Sequence, residues 1–349
     1  MKAMVYTGTG GPEVIEAAEV PTPAPGWGEV RVRVVASALN HLDLWIRRGL
    51  PGIPPSFPHV GGCDVAGVVD AVGEGVREWQ QGDRVVINPA LSCGQCEWCA
   101  RGEDSLCDSF AILGEHVWGG FAEYVVVPVA NLERVPDDFP LEEAAAVPLV
   151  YATAWRMLIT QAEIKPGETV LVIGAGGGVN SAAIQIAALA GCRVWATTST
   201  TEKMEAARAL GAEWVVNYVE DEGWSKAVYQ RSSKRGVDVV VDNVGEATWA
   251  TSIRSLAKGG RLVTVGATTG ATGKMDIRQI FWKQLRIIGS TMAARGEFRD
   301  VMRLVWQGKL HPVIDCVLPL RELRAGHEAL ESRAHFGKIV MQVGRAGAL

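Results

Sequence analysis

The chain of 349 residues is 48% hydrophobic and 21% charged, a globular composition too long for one ordinary core and suited to two domains of roughly 130 to 200 residues. A net charge of −5 without any Lys/Arg-rich run excludes the electrostatic footprint of a nucleic-acid binder. No apolar run reaches the roughly 18 residues that cross a membrane, and Lys2 and the stretch Glu13 to Glu19 interrupt any signal-like segment, so a soluble, cytoplasmic protein acting on a small molecule is expected.

In chain order, Lys2 to Tyr6 and Glu29 to Ser37 alternate or run apolar as strands do, joined by a Pro/Gly-rich connection from Pro21 to Gly28. Strand patterns recur at Asp64 to Val72, Asp83 to Ile87 and Ala122 to Val127. Short strands with glycine-rich turns predict a β-rich first domain of about 150 residues. Pro54-Pro55 and Pro58 predict a rigid loop, with His59 beside it as a hydrogen-bonding residue and not a ligand.

Cys93, Cys96, Cys99 and Cys107 follow with C-x2-C-x2-C-x7-C spacing. Four thiolates so spaced can close a tetrahedron around one zinc ion, and a site of four cysteines leaves no position for a substrate, which makes it structural. The other three cysteines, Cys63, Cys192 and Cys316, are solitary, so the seven do not read as a secreted disulfide framework.

From Thr169 to Ile173 a buried-strand pattern breaks into Gly174-Ala175-Gly176-Gly177-Gly178 and resumes as a helix in which Val179, Ala182, Ala183, Ile186 and Leu189 share a face; Gly191 stops it, and Arg193 to Thr197 is the next strand. Strand, glycine loop, helix and strand form a dinucleotide-binding βαβ unit. Glycines permit the tight turn and the close backbone approach, and the helix N-terminus favours a pyrophosphate. A second half follows: strand Gly236 to Asp242, Asn243-Val244-Gly245, helix Glu246 to Ala257, and strand Arg261 to Val265 ending in Gly266-Ala267-Thr268. Ligands sit outside the carboxyl ends of such strands, which places Asn243, Gly266, Ala267 and Thr268 beside the nicotinamide.

The glycine loop, the four-cysteine lobe and the β-rich first domain, with Ala38-Leu39-Asn40-His41-Leu42-Asp43, Pro58 to Gly67 and Phe281 to Met292, together resemble the medium-chain dehydrogenase/reductase superfamily, which holds zinc alcohol dehydrogenases and quinone oxidoreductases. The resemblance implies an α/β architecture: a GroES-like catalytic domain from residues 1–150 and 290–349, and a Rossmann doubly wound domain from 151–289. It further implies a homodimer or homotetramer.

The same resemblance aligns the three catalytic-zinc ligand positions with Asn40, Cys63 and Leu149, and the acidic neighbour with Asp64. Leucine cannot bind zinc and asparagine binds it poorly, so catalytic zinc is not expected; an improvised set of Cys63, Asp64, His41 and His59 is the alternative. Without a metal, reducing an activated double bond asks less than removing hydride from an alcohol, because hydrogen-bond donors can stabilise an enolate-like oxyanion. Asn40 is the expected donor and Tyr151 a second donor or proton source; Asp43, by resemblance, orients the groups near the nicotinamide, against which Thr153 packs.

For the cofactor, the position where NAD-preferring members carry an acidic residue is Thr198. Ser199, Lys203 and Tyr218 are suited to a 2′-phosphate, so NADP(H) is favoured, with NAD(H) as the alternative; Gly174, Gly176, Gly177, Gly178 and Val179 hold the pyrophosphate, although Asn180 replaces the last glycine of the family loop. Independently of any phosphate, Ser199 with Glu202 reads as a capping box. The expected activity is NAD(P)H-dependent reduction of an enone or quinone with one structural zinc, the alternative being an alcohol dehydrogenase.

Overall fold

The computed structural model describes residues 1–50, 52 and 56–344; the Pro54-Pro55 pair lies outside them. The chain divides into two compact units, Met1–Leu149 with the chain from Ala293 on, and Val150–Met292.

The first unit is built on the strand Glu29–Ala38, in which Val30, Val32, Val34 and Ala36 are buried while Arg31 and Arg33 point away from the core, the period-two alternation of a strand with one face on the core. It pairs antiparallel with Asp64–Val72, with Tyr124–Pro128 over its first half and with the late strand Lys338–Gln342 over its last residues. Ile314–Pro319 lies parallel to that late strand. Val65, Val69, Val85, Ile87 and Phe121 fill the core.

The helix His41–Arg48 is pinned to the helix Leu323–Ser332 by a buried guanidinium. Arg47 donates to the carbonyl of Gly10 (3.2 Å), to Nδ1 of His327 (3.2 Å) and to Glu331. Because arginine only donates, His327 carries its proton on Nε2 and offers it to Tyr6 Oη at 3.3 Å.

The second unit holds one parallel sheet, ordered Trp214–Asn217, Arg193–Thr198, Thr169–Val172, Val237–Val241, Leu256–Thr264, Arg286–Gly289. Chain order reverses between Thr169–Val172 and Val237–Val241, the switch point at which such sheets take ligands. The two central strands are buried almost throughout, as a sheet covered on both faces requires.

Several boundaries differ from the sequence reading. The helix expected from Glu246 spans Trp249–Ser255, because Asp242 Oδ1 accepts the N–H groups of Val244 and Gly245 and holds that stretch in a turn, with Gly245 at φ +88°. The following strand starts at Leu256 and not Arg261, since Leu256 already pairs with Val237 ahead of a bulge. The strand expected from Ala122 is Tyr124–Pro128. Among the described residues, no helix is long and apolar enough to cross a membrane.

Candidate functional site

The four cysteines of the 93–107 lobe converge: their sulfur atoms all lie within 4.8 Å of one another. Cys93 Sγ is 3.5 Å from Cys107 Sγ and 4.0 Å from Cys99 Sγ, and Cys96 Sγ is 3.6 Å from Cys99 Sγ. A tetrahedron with Zn–S bonds of about 2.3 Å has edges of about 3.8 Å, so the set fits a zinc ion. The loop favours the anionic state at part of it: backbone N–H groups of Cys99 and Asp108 hold the Cys96 thiol down to about 6, and those of Gln95 and Cys96 lower Cys93. The lobe is fastened to the late part of the chain by Asp104, which accepts the N–H of Arg295 at 2.8 Å.

In the second unit the glycine loop precedes the helix Gly178–Leu189. Gly174 takes φ +79°, a conformation glycine adopts without penalty, and gives its N–H to Thr197 Oγ1 at 3.0 Å. Asn180, where the family loop has glycine, is buried and works as a clamp: Nδ2 donates to the carbonyls of Ile173 (2.7 Å) and Gly174 (2.8 Å), while Oδ1 accepts from Asn243 Nδ2 at 2.8 Å. Asn243 Oδ1 accepts the N–H of Val265 at 3.2 Å. One chain of amides thus ties the glycine loop to the ends of two neighbouring strands, Gly266 follows at φ +83°, and Thr268 Oγ1 lies 3.5 Å from the carbonyls of Asn243 and Val244. The helix N-terminus with this loop can hold a dinucleotide pyrophosphate.

Thr198 is buried at the end of its strand, and its carbonyl accepts the N–H of Tyr218, whose side chain is exposed. Ser199 is not the helix cap. Thr200 caps the helix Thr201–Ala209, its Oγ1 accepting from the N–H of Lys203 at 3.3 Å, because Thr200 and not Ser199 has the extended backbone that turns a hydroxyl onto the third helical N–H. Tyr151 is buried, with its hydroxyl accepting from Gln185 Nε2 at 2.8 Å. Thr153 Oγ1 lies 4.0 Å from Met292 Sδ.

The first unit holds a buried polar cluster that sequence reading only half anticipated. Asp43 Oδ2 accepts the N–H of Asn40 at 2.7 Å, and Oδ1 that of Gly62 at 3.1 Å. Asp64 Oδ1 accepts the N–H of Leu149 at 2.8 Å. Lys338, 3% exposed, donates from Nζ to Asn40 Oδ1 at 2.6 Å and to Asp64 Oδ2 at 2.9 Å.

The Asn40 amide, expected to donate to a substrate oxyanion, spends its donors inward, with Nδ2 2.8 Å from Asp64 Oδ2, 3.2 Å from Cys63 Sγ and 3.3 Å from the Ala38 carbonyl. Burial, aided by Asp64 and Asp43, pushes the Cys63 thiol well above its usual range. Burial also raises Asp43 to about 6 against the pull of its two backbone N–H donors and Lys338.

These residues do not fit a catalytic zinc. A thiol held protonated, a leucine and an inward-turned amide offer no ligand set, and a resident ammonium already neutralises Asp64. The improvised alternative fails too. Nε2 of His59 donates to the Gly114 carbonyl at 2.9 Å, and His41 stacks edge-on against Trp45. Among the described residues, only the four cysteines bring three or more potential ligand atoms together.

Residues 26–137 match the model of the alcohol dehydrogenase GroES-like domain, and residues 178–307 that of the zinc-binding dehydrogenase. The chain is 33% identical over 344 residues to the acryloyl-coenzyme A reductase of Metallosphaera sedula, covering 98% of this chain and 99% of that one. It is 33% identical over 353 residues to the NAD-dependent alcohol dehydrogenase of Sulfolobus acidocaldarius, covering 98% and 100%. A crystal structure of an NAD-dependent alcohol dehydrogenase superposes with TM-score 0.94 at 49% identity, covering 99% of this chain and 100% of that one.

Proposed function

Because this chain belongs to the zinc-type alcohol dehydrogenases of the medium-chain dehydrogenase/reductase superfamily, we propose that it reduces an activated carbon–carbon double bond, in an enone, quinone or enoyl thioester, without a metal at the reacting carbonyl. It is an NAD(P)-dependent oxidoreductase; when bound, the nicotinamide supplies the hydride. The observation that carries the choice of substrate is the ammonium of Lys338 seated between Asn40 and Asp64.

Removing hydride from an alcohol calls for a strong electrophile on the developing alkoxide, a role a metal fills with several kcal/mol of charge stabilisation. Hydride addition to an enoyl system spreads the charge over an enolate, which a desolvated site with hydrogen-bond donors can hold. Asn40 and Asp43 serve as positioning groups, the first orienting Lys338 and the second fixing the backbone at Gly62, and Tyr151 as a second hydrogen-bond donor. The existence of an acryloyl-coenzyme A reductase among the relatives supports this reading. The alternative, interconversion of alcohols with aldehydes or ketones, is favoured by the alcohol dehydrogenase structure at 49% identity.

Steady-state assays on dialysed, metal-counted protein separate the two. Crotonyl-coenzyme A with reduced cofactor is expected to give a kcat/KM at least about 100-fold above that of any simple alcohol with oxidised cofactor. The reverse ratio makes the protein an alcohol dehydrogenase.

NADP(H) is proposed as the preferred cofactor, since Thr198 places no carboxylate where it would repel a 2′-phosphate, and Ser199, Lys203 and Tyr218 follow it. We expect NADPH to exceed NADH by about tenfold in kcat/KM, a difference of about 1.4 kcal/mol; equal values remove the phosphate-binding role of these residues. A single zinc ion held by Cys93, Cys96, Cys99 and Cys107, a homodimeric or homotetrameric state and a cytoplasmic location complete the proposal.

A further inference from the structure

Glu115 stands outside every role assigned so far. It is a buried carboxyl, 6% exposed, and among the described residues its Oε2 has no hydrogen-bond partner. The adjacent His116 does not neutralise it: Nδ1 of His116, 4.0 Å from Oε1, accepts the N–H of Ile112 at 3.1 Å and so carries no proton on that side. A carboxylate left this way costs several kcal/mol, and the ordinary response is to hold a proton.

The loop that carries Glu115 is clamped against the polar cluster of the first unit. A Cβ on Gly114 would come within 2.8 Å of the Gly62 backbone, and one on Gly119 within 2.2 Å of the Gly62 carbonyl oxygen. His59 holds the Gly114 carbonyl, and the N–H of Gly114 donates to the carbonyl of Val117 at 2.9 Å. Gly62 in turn gives its N–H to Asp43 and precedes Cys63. Burial first, then the charge of Asp43, raises Glu115 to about 7. The titratable groups around it are therefore Asp43, His116 and, through Gly114, His59, none of which offers a positive charge close by.

We propose that Glu115 is the general acid of the reduction, delivering the proton from Oε2 to the substrate carbon α to the carbonyl. The proposal rests on the enoyl-reductase reading above. Hydride from the reduced nicotinamide, which is oxidised, forms the C–H bond at Cβ and drives the π pair onto Cα and the carbonyl oxygen. The Oε2–H bond of Glu115 then breaks as the Cα–H bond forms, and the carboxylate recovers a proton from water. The net change is one hydride and one proton added across the double bond. A group that must be protonated to act limits turnover on the alkaline side.

The test compares wild type, Glu115→Gln and Glu115→Asp with crotonyl-coenzyme A and reduced cofactor, in water and in deuterium oxide. Wild type is expected to lose kcat/KM as pH rises through about 7 and to place deuterium on one face of Cα. Glu115→Gln should lose at least about 100-fold in kcat, lose the alkaline limb, and label both faces of Cα, while Glu115→Asp retains part of the rate and the limb. Cofactor binding and circular dichroism establish that each variant is folded. A wild type that turns over while Glu115→Gln keeps its rate, pH profile and single-face labelling overturns the role of Glu115 alone. A wild type that reduces no enoyl substrate overturns the reading beneath it.

Discussion

Replacing Lys338 by methionine is expected to lower the free energy of unfolding by about 3–5 kcal/mol, the usual cost of removing one partner of a buried ion pair. The cost does not measure the worth of the pair, whose attraction roughly repays the desolvation of both ions. It arises because Asp64, with no exposure of its own, keeps only the neutral donors Asn40 Nδ2 and the Leu149 N–H once the ammonium is gone.

The double variant Asp64→Asn/Lys338→Met should recover most of the loss, because no uncompensated charge then stays inside. Urea unfolding of the four proteins of this cycle checks the expectation. A loss below about 1 kcal/mol for the single variant would mean that water reaches Asp64 and that the pair behaves as a surface one.

The second large effect concerns the four-cysteine lobe. Elemental analysis after dialysis is expected to find one zinc per chain, and Cys93→Ser to abolish it. Because structural zinc in small modules binds with about 10–16 kcal/mol at neutral pH, the ordering of the 93–107 segment depends on the ion. Chelation should expose that segment to proteolysis and lower the melting temperature of the first unit, with the loss extending to the helix Arg295–Trp306, whose N-terminus Asp104 holds. Two zinc ions per chain would overturn the conclusion that the Asn40–Asp64–Lys338 cluster accepts no metal.

What could be read from the sequence follows how local its physics is. The cysteine lobe was legible because its four ligands are close in sequence and spacing alone defines a tetrahedron. The glycine loop was legible because strand, loop and helix are consecutive, though Asn180 looked like a weakness and is instead a clamp, its amide joining carbonyls of the loop to Asn243. Lys338 escaped notice, since a lysine opening a late strand gives no sign that it will meet Asp64 from the other end of the chain. Glu115 escaped for a related reason: its meaning comes from having no partner, which no spacing encodes. The cap at Thr200 in place of Ser199 is a one-residue error, within the uncertainty of helix ends.

The pairing of Ala36 to Ala38 with Val340 to Gln342 imposes an order on synthesis. A strand made among the first residues must wait for one made among the last before its edge is covered, whereas the sheet of Val150–Met292 can close as soon as its own strands have left the ribosome. Until then Asp64 has no cation, and an uncovered edge is open to pairing with another chain. The nascent protein is therefore most exposed to misassembly and to chaperone capture late in translation, and the arrival of the strand Lys338–Gln342 supplies both the missing edge and the missing charge.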